Sequence, residues 1–464
     1  MNKERIKNLL LVFLIAMNFI LGSRILIDKK LWPSGYNFFS NIGNWGMTNF
    51  YSDTNETSYR SRFLSPEKIV INTGDQTTRF SLSPADSEFE GILDEAYVIL
   101  QKAFSDDANT ITPVTREDFY SALCSSSIYL EYSATHMPEL FAKLIGTNSA
   151  IALDIPAGFY QTVISYSPRT CVYITDAGNN LFYKISVNKS SESLVIKLGE
   201  CIESRQNSDT VINYSFDLKF DQPFGSQKTT INPLVQIHST PEEYPVISSK
   251  NPILNDDKSV NEEIISEILK VFEINPSTMS RYTEAGGTLV FVENNATLKI
   301  NKNGYLEYEA TNATLEATEQ SDEYSIISTV SSLADGINKA IKNENAMCLA
   351  EVYTSQNGIV ALDYIADGTR VNIKSDKLSN AVVATVENGQ LKSYKQFIRC
   401  YEVTDKKSLP MEFLQALDIA IAEYSQYMNE INIDRMYVGY IDNTLLGEKN
   451  AEWIVDVDNL IIGE

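Results

Sequence analysis

The chain has 464 residues, and its 43% hydrophobic and 10% aromatic content is that of a folded protein, long enough for two or three globular units. A formal net charge of -23 is spread along its length, which disfavours nucleic acid as a partner, and an anionic lipid face except at the basic ends of the opening segment. Five cysteines with no CxxC pair and only two histidines, His136 and His238, leave little material for a disulfide framework, a zinc site or a histidine-based triad.

The chain opens with a short basic head, Lys3, Arg5 and Lys7, followed by the uncharged run Leu9 to Ser23. Fifteen helical residues cover about 22 Å of a hydrocarbon core roughly 30 Å thick. Arg24 can send its guanidinium to the headgroups, so that Ile25, Leu26 and Ile27 complete one crossing. The run lacks the small-residue A-x-A ending of a cleaved signal, and no lipoprotein cysteine follows it. Residues 8–28 are therefore read as a retained transmembrane helix, with residues 1–7 as a cytoplasmic head and the bulk of the chain extracytoplasmic. Lys3, Arg5 and Lys7 are matched by Arg24, Lys29 and Lys30 across the span, so this orientation rests on the ease of leaving a short head inside. Asn18 shares a helical face with Gly22, and Leu11, Leu14, Ile15 and Ile25 fall on the same stripe. A polar group beside a small residue lets another helix approach and hydrogen-bond, which makes this face the expected transmembrane partner contact.

Residues 29–63 carry aromatics among Asn, Gly and Ser with no helical or strand period, and read as a juxtamembrane stalk. Residues 64–247 are expected to form an N-terminal α+β domain. Two strands flank the Gly-Asp turn of "KIVINTGDQTTRFSL". A helix after Pro84 places Phe89, Ile92, Leu93, Ala96, Leu100 and Phe104 on one stripe. "IYLEY" reads as a strand, "HMPELFAKLIG" as a short helix, and "QTVISYS", "CVYIT", "LFYKISV" and "SLVIKL" as further strands.

A Pro-, Ser- and Thr-rich stretch without a period sets a boundary near 248. Residues 248–345 are expected to form a middle domain. Ser259 and Glu262 read as a capping box for a helix carrying Ile264, Ile265, Ile268, Leu269 and Phe272, and strands follow with turns at Asn294-Asn295 and Asn303-Gly304. A helix near 322–342 presents Ile326, Val330, Leu333, Ile337 and Ile341. Residues 346–464 repeat this logic. There are hairpins in "IVALDYIADGTRVNIK" and around Asn388-Gly389, and a helix from Pro410 with Phe413, Leu414, Leu417, Ile421 and Tyr424 inward. "MYVGYI" and "EWIVDVD" close the chain as strands. The two Asn-Gly turns lie 85 residues apart, each followed by a leucine, a tyrosine and a helix at similar spacing. That pattern reads as two related antiparallel-sheet-plus-helix units.

Catalytic signatures are missing: no G-x-S-x-G, H-E-x-x-H, P-loop or post-strand G-x-G-x-x-G occurs. His136, just before Met137-Pro138, reads as abutting a helix start. "DVDN" at Asp456 and Asp458 lacks the glycine and distal glutamate of a calcium loop. No catalytic residue, metal ligand or cofactor is assigned.

"SPEKIVINTG" with the helix after it and "IYLEYSATHMPELFAKLIG" resemble the first extracytoplasmic domain of the YycH family. "VFVENNATLKINKNGYLEYEA" is similar to that family's middle domain. "ALDYIADGTRVNI", "AVVATVENGQLKSYKQFIRCYEV" and "MYVGYI" with "EWIVDVDN" resemble its C-terminal domain, itself similar to the partner protein YycI. The chain departs from the family pattern at "NAEWIVDVDN", where a proline near Trp453 and a later glycine are expected. The resemblance implies a YycI-like middle and C-terminal domain. It also implies a membrane-anchored accessory protein that works with YycI to tune WalK, the sensor histidine kinase of a two-component system controlling the cell wall. It brings no catalytic residues. Two rival readings stand beside it: an envelope-anchored extracellular binding module for wall polymer or a small ligand, and an anchored hydrolase with an unrecognised carboxylate pair.

Overall fold

The computed structural model describes residues 65–457, apart from 75–77, 106–108, 148–157, 177–180, 189–190, 206–210, 294–295, 311–322, 355–356 and 388–389. Within these the fold is mixed α+β. No described helix is long and apolar enough to cross a membrane.

The first layer begins with β1 (Lys68–Thr73) and β2 (Arg79–Leu82), paired antiparallel as expected. Helix α1 (Phe89–Ser105) buries the whole predicted stripe, Phe89, Ile92, Leu93, Ala96, Leu100 and Phe104. Next come β3 (Thr110–Val114) and α2 (Arg116–Leu123), which the sequence reading passed over. A reciprocal cap starts α2: Asp118 N–H donates to Thr115 Oγ1 at 3.1 Å, and Thr115 N–H donates to Asp118 Oδ2 at 3.2 Å. β4 (Ser126–His136), α3 (Pro138–Leu144), β5 (Phe159–Ser165), β6 (Cys171–Thr175) and β7 (Phe182–Ser186) complete a sheet in the order β2-β1-β4-β5-β6-β7-β3. Every residue of β5 and β6 is buried because both faces are covered. Ile69, Ile128, Leu130 and Ile164 pack with α1, whereas Val70, Tyr129, Val163 and Tyr173 pack with Phe119 of α2, Tyr214 and Leu234. "SLVIKL", expected as a strand, lies in helix α4 (Glu192–Arg205). Its buried Leu194, Leu198 and Cys201 follow a helical stripe, and the β-branched Val195 and Ile196 that prompted the strand reading are 43% and 58% exposed.

Short strands β8 (Ile212–Tyr214), β9 (Thr230–Ile231) and β10 (Gln236–His238) lead into β11 (Tyr244–Lys250). Helix α5 (Glu262–Val271) is capped by Asn261, whose side chain accepts Ile264 N–H at 3.3 Å. The expected Ser259–Glu262 box does not form, because Ser259 is held in a turn by Asp257 Oδ1, 2.9 Å from its N–H. β12 (Ser280–Thr283), β13 (Leu289–Glu293), β14 (Ala296–Ile300) and β15 (Tyr305–Ala310) form an antiparallel meander, and α6 (Glu323–Ala340) follows. The β14–β15 turn runs through Asn303-Gly304 as expected, with Gly304 at φ +92°. A Cβ there would sit 2.8 Å from Ile398 O.

The remaining strands are β16 (Ala346–Thr354), β17 (Asn357–Ala366), β18 (Thr369–Ile373), β19 (Val382–Glu387), β20 (Gln390–Phe397) and β21 (Cys400–Ser408). Helix α7 (Phe413–Tyr424) and strands β22 (Asn432–Asp442), β23 (Gly447–Lys449) and β24 (Ala451–Val457) end the described chain. One sheet runs β12-β13-β14-β15-β20-β19-β17-β18-β22-β24, with β16 on β17 and β9 on β22; β21-β11-β23 form a smaller one. The leucine–tyrosine strands of the two similar passages are direct neighbours, Tyr308 opposite Tyr394. The large sheet is not purely antiparallel, since β18 and β9 run parallel to β22. In α7, Phe413, Ala416, Leu417 and Ala420 face inward, but Leu414, expected there, is 56% exposed on the flank of the stripe. The Asn294-Asn295 and Asn388-Gly389 turns fall outside the described residues.

Candidate functional site: a charged seam between the sheets

The predicted contact face, Leu11, Leu14, Ile15, Asn18, Gly22 and Ile25, lies outside the described residues, as do the head, span and stalk around it. What the described residues present is a polar seam where β1, β4 and β5 meet β16, β17, β18 and β22. Strand alternation builds it. Glu131 and Ser133 project from β4 between apolar neighbours, Arg370 stands beside the hairpin turn of β17–β18, and Arg435 follows Asp434, the extra residue where the β22–β24 register shifts. The hairpin turn itself abuts the loop before α1: Gly368 has φ +71°, and a Cβ there would lie 2.7 Å from Ala85 N.

Two guanidinium groups organise the seam. Arg370 Nε and Nη2 lie 2.8 and 2.7 Å from Asp363 Oδ2, and its Nη1 lies 3.6 Å from Glu67 Oε1. Asp363 also accepts Ala381 N–H at 2.9 Å and Asn380 Nδ2 at 3.2 Å. Arg435 donates through Nη1 to Ser133 O at 2.7 Å and lies 4.1 Å from the centre of the Tyr160 ring. The Tyr160 hydroxyl donates to Asp434 Oδ1 at 3.0 Å, and Asn232 Nδ2 reaches both oxygens, at 2.9 Å to Tyr160 and 3.0 Å to Asp434. Beside them the Ser133 hydroxyl donates to Leu349 O of β16 at 2.7 Å. Five stretches far apart in sequence are tied together by these bonds.

Electrostatics explain why the pairs hold. Burial works against both arginine charges, but Asp363 and Glu67 around Arg370, and Tyr160, Glu67, Glu131 and Asp434 around Arg435, outweigh it and keep both firmly protonated. Burial pushes the Glu131 carboxyl upward, only partly offset by Lys68 and Arg435. His136 is 1% exposed, neither ring nitrogen has a hydrogen-bond partner among the described residues, and burial, then Arg435, lowers its pKa to about 4. Burial pushes the Cys348 thiol, 4% exposed, up to about 12. The buried His136 imidazole is held neutral and the Cys348 thiol protonated, and the contacts that cross the seam are charge pairs and hydrogen bonds. Among the described residues no group of three or more His, Cys, Asp or Glu side chains is arranged to hold a metal ion.

At one end of the seam a cleft opens between Lys68, Gln236, His238 and Glu242 on one side and Met411, Phe413, Met436 and Trp453 on the other. His238 Nδ1 lies 3.1 Å from Glu242 Oε1, and this contact lowers the Glu242 pKa. The cleft has a volume of about 40 Å³, room for about three waters.

His136 abuts α3 as read from the sequence, but its burial was not visible there. Arg370, Arg435, Asp363 and Glu131 were missed altogether. The one signal available was a charged residue at an inward position of an otherwise alternating strand, as in "IYLEYSATH".

A solved structure, the crystal structure of YycH from Bacillus subtilis, matches over 86% of this chain and 95% of its own, with a TM-score of 0.54 and 13% sequence identity. No family model and no curated protein matches the chain. At that identity the likeness establishes the architecture: this chain has a YycH-like fold.

Proposed function

We propose that this protein is a membrane-anchored accessory regulator that tunes a WalK-like sensor histidine kinase of a cell-wall-controlling two-component system. It acts through transmembrane-helix contacts and by pairing with a YycI-like protein. The observation that carries the reading is the YycH-like fold over 86% of the chain. The uncharged run Leu9 to Ser23 supports it by supplying an anchor of the right kind. In this reading the protein is a single-pass protein of the cell membrane, N-terminus cytoplasmic, with the described layers outside. Its anchor helix packs by the Asn18–Gly22 face against kinase and partner helices. Regulation is then a bias on a two-state kinase bundle, which asks only a few kcal/mol of differential contact.

Replacing residues 9 to 27 with an unrelated apolar helix tests this. Loss of signalling with the extracytoplasmic layers still folded is the expected result, and signalling that survives the exchange contradicts helix contact as the mechanism.

A further inference from the structure

Sheet edges are where folded proteins guard against adding foreign strands, and most edges in this molecule are guarded. β2 and β12 are four residues long, and β23 is three. β3 carries Pro113. β16 has a register shift between Leu349 and Glu351 and lies against β4 through the Ser133–Leu349 bond. β21 carries Lys406 and Lys407, and Asn345 occupies its Tyr401 with bonds of 2.7 and 3.1 Å. β24 is the least guarded of them, although Ser408 and Tyr424 each hold one of its outward backbone groups. It is seven residues long, has no proline and no lysine, and among the described strands pairs only with β22.

The outward groups of β24 can be read from its bonds. Ala451 N–H donates to Ser408 Oγ at 3.2 Å, and Val455 O accepts the Tyr424 hydroxyl at 3.3 Å. In an antiparallel ladder alternate residues turn away from the partner, so Trp453, between these two, sends its N–H and C=O outward as well. Trp453, Val455 and Val457 point their side chains toward α7, and Ile454 is buried on the opposite face between exposed Glu452 and Asp456. An added strand therefore meets an acidic, apolar, acidic row at positions 452, 454 and 456, the charge at Asp456 being partly offset by Arg435, its partner in β22, and by Arg370.

We propose that the outer edge of β24 is a β-addition site for a partner strand carrying two basic side chains four residues apart with an apolar residue midway. Charge selects this occupant. A second copy of β24 added antiparallel about Ile454 would set Glu452 against Asp456 twice, and like charges directly opposite each other destabilise a strand pair. A basic strand places Lys or Arg against each acid and meets the attractive field of a chain with net charge -23. The site does not depend on the regulator reading, because its test uses a peptide and no kinase.

The test titrates the full-length protein, labelled with 5-fluorotryptophan, with three peptides and follows the Trp453 fluorine signal, assigned through Trp453→Phe. The probes are Ac-Lys-Thr-Val-Thr-Lys-NH2, the same peptide N-methylated at its valine and both threonines, and Ac-Glu-Thr-Val-Thr-Glu-NH2. The basic peptide is expected to move the signal with an affinity at least tenfold above either of the others. The exposed pair Glu452→Lys and Asp456→Lys together should invert the preference toward the acidic peptide. Equal binding of the N-methylated peptide overturns strand addition, and an unchanged preference in the double variant overturns charge selection. If no peptide binds until residues 458 to 464 are removed, or until a dimer is dissociated, the edge belongs to the chain itself and the proposal is wrong.

Discussion

Arginine is buried in several places among the described residues, and two of them hold it in opposite ways. Arg399, 1% exposed, lies inside the region built around the large sheet. Its Nη1 donates to Asn303 O at 2.7 Å and Ile398 O at 2.9 Å, and its Nη2 donates to Thr444 O at 3.0 Å. Its Nε faces Asp442 at 3.5 Å, and Asp442 in turn accepts the Tyr401 hydroxyl at 2.9 Å and Thr444 N–H at 2.8 Å. Arg399 there holds two turns and a strand start together, with Lys449 Nζ 3.6 Å from Asp442 Oδ1 as a second cation on the same acid. The seam between the sheets has two guanidinium groups, more carboxylates than cations, a carboxyl pushed upward at Glu131, and at His136 an imidazole with no hydrogen-bond partner among the described residues. The first arrangement resembles a rivet; the second is a boundary whose charges are balanced only while both layers stay in place. A molecule that must transmit a bias between layers has its adjustable contacts at such a boundary.

The largest effect expected separates the two directly. Arg399→Met leaves Asn303 O, Ile398 O and Thr444 O without their donor and Asp442 with Lys449 alone, 3.6 Å from its Oδ1, and should cost about 3 kcal/mol or more in urea unfolding, with Asp442→Asn restoring part of the loss. Recovery in the double variant measures the pair itself.

His136 gives the next effect, at acid pH. Its pKa is lowered to about 4 from 6.5, so the unfolded chain binds the proton first and stability falls as pH drops through that window. The loss is bounded by about 3 kcal/mol between the two values and does not continue below the lower one. Unfolding midpoints measured from pH 7 to 4 should flatten in His136→Phe; an unchanged slope would place the acid sensitivity elsewhere.

Arg435→Gln removes the bond to Ser133 O and the stacking on Tyr160, at about 1–3 kcal/mol. Hydrogen exchange should show β4 and β22 opening below the global unfolding free energy, a local loosening that Arg399→Met does not share. The smallest expected effect has the opposite sign. Because the folded state raises the Glu131 pKa, its charge costs stability above the unfolded carboxyl value, and the cost vanishes as acid protonates it. Glu131→Gln should therefore raise the midpoint at pH 7 by less than about 1 kcal/mol and leave it unchanged near pH 3.

Local periodicity was readable. The α1 stripe, the Asn303-Gly304 turn and the closing strands all stand in the sequence because each is set by neighbours within a few residues. α4 was misread because two β-branched residues sit at its solvent face, and α2 was missed because it offers only three buried positions, Phe119, Ala122 and Leu123. The seam was not readable at all. Ser133 meets Leu349 across 216 residues and Arg435 meets Ser133 across 302, and nothing near any of these residues marks its partner. Order of segments carries the YycH-like fold even at 13% identity, since layers tolerate exchange of apolar residues that keep volume and pattern.

The proposed role is regulation of a sensor kinase from the membrane. In-membrane crosslinking of the full-length protein, followed by purification and identification of what is attached, tests it most directly. A sensor histidine kinase and a YycI-like protein should be recovered, and both should be lost when residues 9 to 27 are exchanged. Recovery of neither, from membranes in which the kinase is present and the protein is folded, would contradict it.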